Sequence, residues 1–362
     1  MDSTVAEINL KALRHNLEKI KQLAPKSNIV AMIKADAYGH GIEAIAKALT
    51  KADALGVARV GEAIELRKAG VNNELVLMEG CFDADEYQSA AEHNLQLVIH
   101  TQVQLEQFLG LELTTPLKVW LKLDTGMHRL GFDSAEFSRA LERLQHSNNC
   151  HPEIILMSHM ACADEADSPL NTKQIELFQQ TVADQSYPLS LANSATIIAY
   201  PDMHLDWVRP GLMLYGCSPM AGQTAGAHGL MPVMKFLTKV IAVKDVNKGE
   251  FVGYGSRWQA QKNTRIAVLA VGYGDGYPRH AKDGTPVVIA GKRYPLVGRV
   301  SMDMITVDVT DLAPVSIGDA VTLWGEGLPA EEVAEGASTI SYTLFCGITN
   351  RVARSYVRSE KQ

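Results

Sequence analysis

Basic residues are in deficit in this chain. Its 34 lysines and arginines face 41 aspartates and glutamates, a formal net charge of -7 with no basic cluster, which argues against a nucleic-acid partner. Cysteine is scarce and scattered: Cys81, Cys150, Cys162, Cys217 and Cys346 include no close pair, which argues against a disulfide framework and against a zinc site. They are expected to be small buried residues, and no metal is expected. Long apolar runs are absent too, and no stretch approaches a membrane span. The N-terminal Met1-Asp2-Ser3-Thr4-Val5-Ala6-Glu7 lacks a positive region followed by an apolar core, so the expectation is a cytoplasmic protein. What remains is 362 residues with 46% hydrophobic content, enough for a barrel-sized domain and a smaller one with a sizeable core.

One stretch organises the chain: Ile29-Val30-Ala31-Met32-Ile33-Lys34-Ala35-Asp36-Ala37-Tyr38-Gly39-His40-Gly41. A β-branched apolar run ends abruptly on a lysine, two glycines interrupt it, and a helical pattern begins at Ile42; this reads as strand, functional loop, helix. A lysine at the mouth of a buried strand is costly to desolvate, so its amine tends toward the neutral, nucleophilic form. Taken alone, the stretch also fits a solvated lysine at a strand end.

Taken in order, a short alternating strand at 5–10 precedes an amphipathic helix at 11–22. Apolar strand candidates then recur at 29–33, 54–58, 75–78, 97–100, 117–123, 154–157, 188–192 and 212–215. Helical patterns at 42–51, 61–69, 84–93, 102–109, 135–145 and 171–184 separate most of them. Such alternation, with strands this apolar, implies a parallel sheet covered by helices, and about eight units imply a (β/α)8 TIM barrel over residues 1–230. In that fold the chemistry sits at the C-terminal ends of the strands. Lys34 ends the first, the run from Lys122 to Arg129 ends the fifth, Ser158-His159-Met160 the sixth and Asn193-Ser194 the seventh, while Arg209-Pro210-Gly211 precedes the last. Individually, His159 could be a satisfied core histidine and Asp124-Thr125-Gly126 an ordinary turn; together they converge on one face.

After about Met231 strand-like segments dominate, at 239–243, 266–271, 287–290, 304–309 and 320–323, which marks a mostly β domain over residues 231–362. Three motifs stand out in it: Gly253-Tyr254-Gly255, Gly272-Tyr273-Gly274-Asp275-Gly276-Tyr277 and Val300-Ser301-Met302-Asp303. Glycines around a tyrosine let backbone approach a ligand and expose the ring, although a tyrosine-decorated turn has the same pattern. A short helical segment follows at Ile340-Ser341-Tyr342-Thr343-Leu344.

Those motifs, with Leu123-Asp124-Thr125-Gly126-Met127-His128-Arg129-Leu130-Gly131, Ala192-Asn193-Ser194-Ala195, Val208-Arg209-Pro210-Gly211 and Gly298-Arg299-Val300-Ser301-Met302-Asp303, fall in an order that resembles the alanine racemase family over essentially the whole chain. The resemblance implies a fold-type III pyridoxal 5′-phosphate enzyme, an N-terminal barrel joined to a β domain, in a head-to-tail homodimer with active sites shared between subunits.

Racemisation removes an α-proton and returns one to the opposite face, so it needs an electron sink and a proton carrier on each side. By resemblance, Lys34 holds the cofactor as a Schiff base and serves one face, and Tyr254 of the partner subunit serves the other. An unperturbed tyrosine, near pKa ~10, is a weak base at neutral pH, so surrounding groups must favour its phenolate. The resemblance places His159 near that hydroxyl with Arg209 behind it. Arg209 would face the pyridine nitrogen; a guanidinium only donates hydrogen bonds, which keeps that nitrogen unprotonated and disfavours transamination. Read without the resemblance, Arg209 would be a surface ion-pair partner, a poor fit beside Trp207, Val208 and Pro210.

The same resemblance gives the phosphate to the hydroxyls of Tyr38, Ser194 and Tyr342 and to the backbone NH groups of Gly211 and Leu212, with Asn193 and His159 completing the cofactor contacts. Arg129 would contact the cofactor's phenolic oxygen and the substrate carboxylate. Lys122, carbamylated in many family members, would then be an anion beside it. From the partner, Met302 would bind the substrate carboxylate through its NH, and Tyr273 and Asp303 would narrow the entrance, favouring alanine. Two departures stand out: Ser190 and Leu191 replace a His-Cys pair found in some members, which removes a polar neighbour of Arg209, and Ser301 stands where others carry cysteine. The competing functions are a racemase of serine or broader specificity, a non-catalytic pyridoxal-phosphate carrier, which would not need the β domain, and a fold-type III decarboxylase, whose C-terminal cysteine-acid motif has no counterpart here.

Overall fold

A computed structural model describes residues 3–311 and 314–357; Met1 and Asp2, where the N-terminal reading begins, and the last five residues of the β-rich unit lie outside it. Eight parallel strands form the first sheet, in the order Leu189–Ser190, Ile155–Met157, Val119–Lys122, Leu95–Ile99, Glu74–Leu77, Ala54–Val57, Asn28–Met32 and Trp207–Val208. Strands such as Ala54–Val57, Leu95–Ile99 and Val119–Lys122 are buried at every position, as a sheet filled inside and covered outside by helices requires. The two ends of the sheet meet where Asn193 bridges Arg209 and the Arg209 N–H donates to Ala192 O at 2.8 Å. The barrel is therefore nearly closed, and Arg209 sits at its seam.

The spacing predicts the eighth strand at 212–215. The structure instead makes Trp207–Val208 the eighth strand and Leu212–Tyr215 a 3-10 turn. Pro210 has no N–H to give to a ladder, Gly211 turns the chain (φ -120°, ψ -85°), and Gly216 in the left-handed region ends the turn (φ 74°). The run 212–215 is apolar because it is buried, and a short buried run does not reveal its period.

The second sheet also has eight strands. Its centre is the long strand Met234–Val246, which pairs antiparallel with Val5–Asn9, Ala320–Trp324 and Thr264–Leu269. Val5–Asn9 pairs in parallel with Ala353–Val357, so the strand preceding the barrel and the last described strand lie side by side. Asn9 then caps the helix Leu10–Leu23, accepting from the Lys11 and Ala12 N–H groups at 3.0 Å each, and the chain enters the barrel. A small hairpin, Phe251–Val252 with Trp258–Gln259, carries the 3-10 turn Tyr254–Ser256 at its tip. No helix among the described residues is long and apolar enough to cross a membrane. The five cysteines are free; Cys81, Cys150 and Cys217 are buried as expected, but Cys346 is exposed at the end of the helix Ser341–Cys346.

Candidate functional site

The strand Asn28–Met32 delivers Lys34 to the open end of the barrel, and the next four residues adopt an uncommon conformation. Ala35, Asp36, Ala37 and Tyr38 all lie in the left-handed helical region (φ 50° to 55°, ψ 44° to 55°). For residues with a Cβ this costs roughly 1–2 kcal/mol each, so the turn persists only because its surroundings hold it. Glu62 Oε1 accepts from the Ala35 N–H at 2.7 Å, Ile33 O accepts from the Ala37 N–H at 2.8 Å, and buried His40 Nδ1 lies 2.8 Å from Tyr38 O. Gly39 (φ 74°) ends the turn; a Cβ there would stand 2.1 Å from Phe345 O, so only glycine lets the helix Ser341–Cys346 approach this closely. The turn places the Lys34 amine and the Tyr38 ring on one cavity of about 420 Å³.

One end of that cavity is a cradle of hydroxyls and backbone. The Tyr38 ring packs 5.5 Å from Tyr342, which the helix Ser341–Cys346 supplies. Ser194 Oγ accepts from the Gly211 N–H at 2.9 Å and the Met213 N–H at 3.4 Å. A side chain at Gly211 would put its Cβ 2.6 Å from the Tyr38 hydroxyl, so the backbone enters the cradle where any other residue would fill it. Leu212 follows, buried, as the first residue of the 3-10 turn. Asn193 caps the helix Ser194–Ala199 by accepting from the Thr196 N–H at 3.0 Å, and it lines the cavity as well. Burial raises the proton affinity of both phenols, Tyr342 to about 12 and Tyr38 further, so both are hydrogen-bond donors at neutral pH.

The rest of the wall is cationic. Lys34, Lys122, Arg129 and Arg209 share it, with the carboxylate of Glu79 as the acidic group. Lys34 falls below the ordinary lysine range through burial first and then through Arg129. Lys122 falls to about 8 through burial and through Arg209 and Arg129. Arg209 is 3% exposed, and its guanidinium is held by neutral groups: Nη1 donates to Ser190 Oγ at 2.5 Å, while Nη2 donates to Ser158 O at 2.6 Å, to Leu191 O at 3.3 Å and to His159 Nδ1 at 3.3 Å. Burial lowers Arg209 to about 10, still charged at neutral pH. Burial and the adjacent Arg209 push His159 well below its ordinary value, so it is a neutral imidazole with its proton on Nε2. An anion fits such a wall; a cation does not.

Ser190 corrects an expectation. The sequence comparison has Arg209 losing a polar neighbour there, yet the serine hydroxyl both accepts from Arg209 and donates to Trp207 O at 2.9 Å. Four residues that sequence reasoning passed over also line the cavity: Met78, Glu79, Phe82 and His100. Three of them follow the strands Glu74–Leu77 and Leu95–Ile99 directly, so the strand-end rule contains the signal that finds them.

Tyr254, Tyr273, Met302 and Asp303 are not among the residues lining this cavity. They come together elsewhere, on loops of the second sheet: the Tyr273 and Gly274 N–H groups donate to Ser301 O (3.0 Å) and Met302 O (2.8 Å), and the backbone at Gly255 passes the Arg299 guanidinium. Asp303 accepts from Arg351 Nη2 at 2.9 Å. Tyr254 is 70% exposed and Met302 53%.

Comparison with known proteins matches residues 8–219 to the family described as alanine racemase, N-terminal domain, and residues 233–356 to alanine racemase, C-terminal domain. The alanine racemase of Shewanella woodyi is 48% identical over 348 residues, which is 96% of this chain and 97% of that protein. Among solved structures, a biosynthetic alanine racemase from Pseudomonas aeruginosa superposes with a TM-score of 0.96 at 45% identity, covering 99% of this chain and 100% of the other. An alanine racemase from Bartonella henselae with covalently bound pyridoxal phosphate gives 0.89 at 29% identity, covering 99% and 100%.

Proposed function

This chain belongs to the alanine racemase family, and on that premise we propose that it interconverts L-alanine and D-alanine with pyridoxal 5′-phosphate, in a homodimer, by a two-base mechanism. The observation that carries the reading is the meeting of the Lys34 amine, the hydroxyl cradle and the buried Arg209 on one cavity. The residues fit the cofactor: three hydroxyls (Tyr38, Ser194, Tyr342) and the backbone at Gly211 and Leu212 suit a phosphate, and the Gly211 backbone lies where a Cβ would block the cradle. When bound, the cofactor supplies a sink for the electron pair left by a departing α-proton.

The chain's own groups do the rest. Lys34 Nζ, drawn toward the neutral amine by burial and by Arg129, anchors the cofactor and then takes or returns a proton on one face. Tyr254 of the partner subunit carries the proton on the other face, which accounts for an exposed tyrosine in a single chain. His159, neutral and oriented by Arg209, donates a hydrogen bond from Nε2–H to the oxygen of that phenol. Arg209 offers only donors toward the cofactor ring and so does not protonate its nitrogen. Arg129 pairs with the substrate carboxylate and is oriented by a carbamate on Lys122. The partner subunit's Met302 adds a backbone NH, and the partner subunit's Tyr273 and Asp303 restrict the entrance to a small side chain.

In this reading residues 1–230 are the cofactor-binding unit and 231–362 the β-rich unit that completes the partner's site. The enzyme acts in the cytoplasm, supplying D-alanine for peptidoglycan or feeding alanine breakdown. Chiral product analysis of L-alanine, L-serine and L-lysine, each incubated with the holoenzyme, tests it. D-alanine should appear fastest by more than about tenfold in kcat/KM; faster serine turnover would replace the substrate assignment, and absence of any D-amino acid would end the racemase reading.

A further inference from the structure

The last described strand reaches back to the segment that carries Lys34. Ala353–Val357 is fixed along its whole length by parallel pairing with Val5–Asn9. From it, Arg354 Nε donates to Gly39 O at 2.8 Å, and Arg354 Nη2 pairs with Asp36 Oδ2 at 3.3 Å. The other oxygen of Asp36 accepts from the Ile42 N–H at 2.7 Å, at the start of the next helix. Two residues along the strand, the Tyr356 hydroxyl donates to His40 O at 3.2 Å. One guanidinium thus grips the left-handed turn near its beginning and just past its end.

Four successive left-handed residues with side chains have no intrinsic reason to hold that shape. Their frame must come from outside, and besides local hydrogen bonds from Ile33, His40 and Ile42 it includes Glu62 and Arg354, both distant in sequence. The Arg354 side chain is only 15% exposed, unlike an ordinary surface ion-pair partner, and one of its two contacts is a backbone carbonyl. The two contacts are made by two nitrogens of one rigid plane, Nε and Nη2, whereas a lysine would have to serve both acceptors from a single flexible nitrogen.

We propose that Arg354 is a positioning residue for the racemisation site: by fixing the pitch of the turn 35–38 it sets where the Lys34 amine and the Tyr38 hydroxyl stand. This rests on the reading of Lys34 as the cofactor anchor. The catalytic loop of the barrel is accordingly tied to the second sheet by a side chain that touches neither substrate nor cofactor.

The test uses full-length holoenzyme with Arg354→Gln, Arg354→Lys and Asp36→Asn. In Arg354→Gln, kcat should fall by about 10- to 100-fold, as expected when a reacting group is misplaced by about an ångström, with KM changed less than about threefold. The visible circular dichroism of the bound cofactor should weaken, and the amides of residues 35–41 should exchange faster in the cofactor-free protein while the barrel strands keep their protection. Arg354→Lys should recover part of the loss. Asp36→Asn should lose less than Arg354→Gln, and adding it to Arg354→Gln should change nothing further. A folded Arg354→Gln enzyme with unaltered kcat and dichroism overturns the proposal; if that variant does not accumulate, unaltered values in Asp36→Asn overturn it. Borohydride reduction of the wild type separates the two levels. Fixation on a lysine other than Lys34 removes the underlying assignment and this proposal with it, whereas fixation on Lys34 together with unaffected variants removes this proposal alone.

Discussion

Arg209 Nη1 donates to Ser190 Oγ at 2.5 Å, and that hydroxyl donates in turn to Trp207 O at 2.9 Å. The guanidinium at the seam of the barrel is thereby held by a hydroxyl, two carbonyls and an imidazole, with no carboxylate paired to it among the described residues. A buried cation without a counter-ion is costly, and it keeps its full strength toward an anionic or electron-rich ligand. Ser190→Ala removes one of these acceptors. It should destabilise the protein by about 1–3 kcal/mol, measured by urea denaturation, while lowering kcat less than about tenfold.

Changing Arg209 itself should alter the outcome of the reaction more than the affinity for substrate. Arg209→Glu replaces a group that can only donate with one that can carry a proton to the cofactor ring. Racemisation should drop, and the competing conversion of alanine to pyruvate should rise per turnover. The check is pyruvate formed per D-alanine formed, in wild type and variant; an unchanged ratio removes Arg209 from control of reaction specificity.

Burial at the end of an apolar strand, and then Arg129 in the same cavity wall, lower the proton affinity of Lys34 below the ordinary lysine value. Borohydride should therefore fix the cofactor irreversibly onto the peptide that contains Lys34, detected by mass spectrometry. Lys34→Ala should retain the cofactor weakly, through the hydroxyl cradle alone, and racemise at least about a thousandfold more slowly.

Tyr254 is exposed and does not line the cavity that holds Lys34 of its own chain, so activity should depend on pairing. Tyr254→Phe alone should keep its cofactor yet lose racemisation in both directions, because each direction uses both carriers, while the one enantiomer whose α-proton faces Lys34 still exchanges that proton for solvent deuterium. Mixing Lys34→Ala and Tyr254→Phe subunits should restore activity, because a hybrid dimer contains one site with both carriers intact. No recovery after demonstrated subunit exchange would place both groups in the same chain's site.

Much of this architecture is legible before any coordinates. Strands such as Ala54–Val57 and Leu95–Ile99 are buried on both faces, so they appear as unbroken apolar runs, and the strand-end rule then selects Lys34, Lys122, His159, Asn193 and Ser194. The rest fails for identifiable reasons. Trp207–Val208 is too short to show a period, and the apolar 3-10 turn after it imitates a strand. Ala-Asp-Ala-Tyr has no local signal for left-handed geometry, since Glu62, Phe345 and Arg354 impose it from elsewhere in the chain. Glu79 and His100 also stand at strand ends, but a carboxylate and a histidine there do not by themselves mark the wall of a cationic site. At Ser190 the family comparison implies a lost polar neighbour of Arg209, yet the hydroxyl still reaches the guanidinium.

Lys122 joins pH to both stability and function. It is 8% exposed and has a proton affinity lowered to about 8 by burial, Arg209 and Arg129. Below about pH 8 both states carry the proton and the fold bears the full cost of the buried charge; between about 8 and the ordinary lysine value the unfolded chain binds more protons, so stability rises with pH across that window. Lys122→Met removes that cost and should stabilise the cofactor-free protein at pH 7 by on the order of 1–3 kcal/mol. The same lowering leaves much of the amine neutral near pH 8, the form whose nitrogen attacks carbon dioxide, forming an N–C bond and releasing a proton. The resulting carbamate would turn a cation beside Arg129 into an anion that orients it. Intact-protein mass spectra recorded after bicarbonate at pH 8 to 9 should show a carbon dioxide adduct on Lys122 that is lost on acidification. Lys122→Met should show none and should raise the KM for alanine, with kcat falling less, because Arg129 would meet the substrate carboxylate without a fixed orientation. A more stable Lys122→Met variant with unchanged KM would leave Lys122 as a cost to folding without a part in substrate binding.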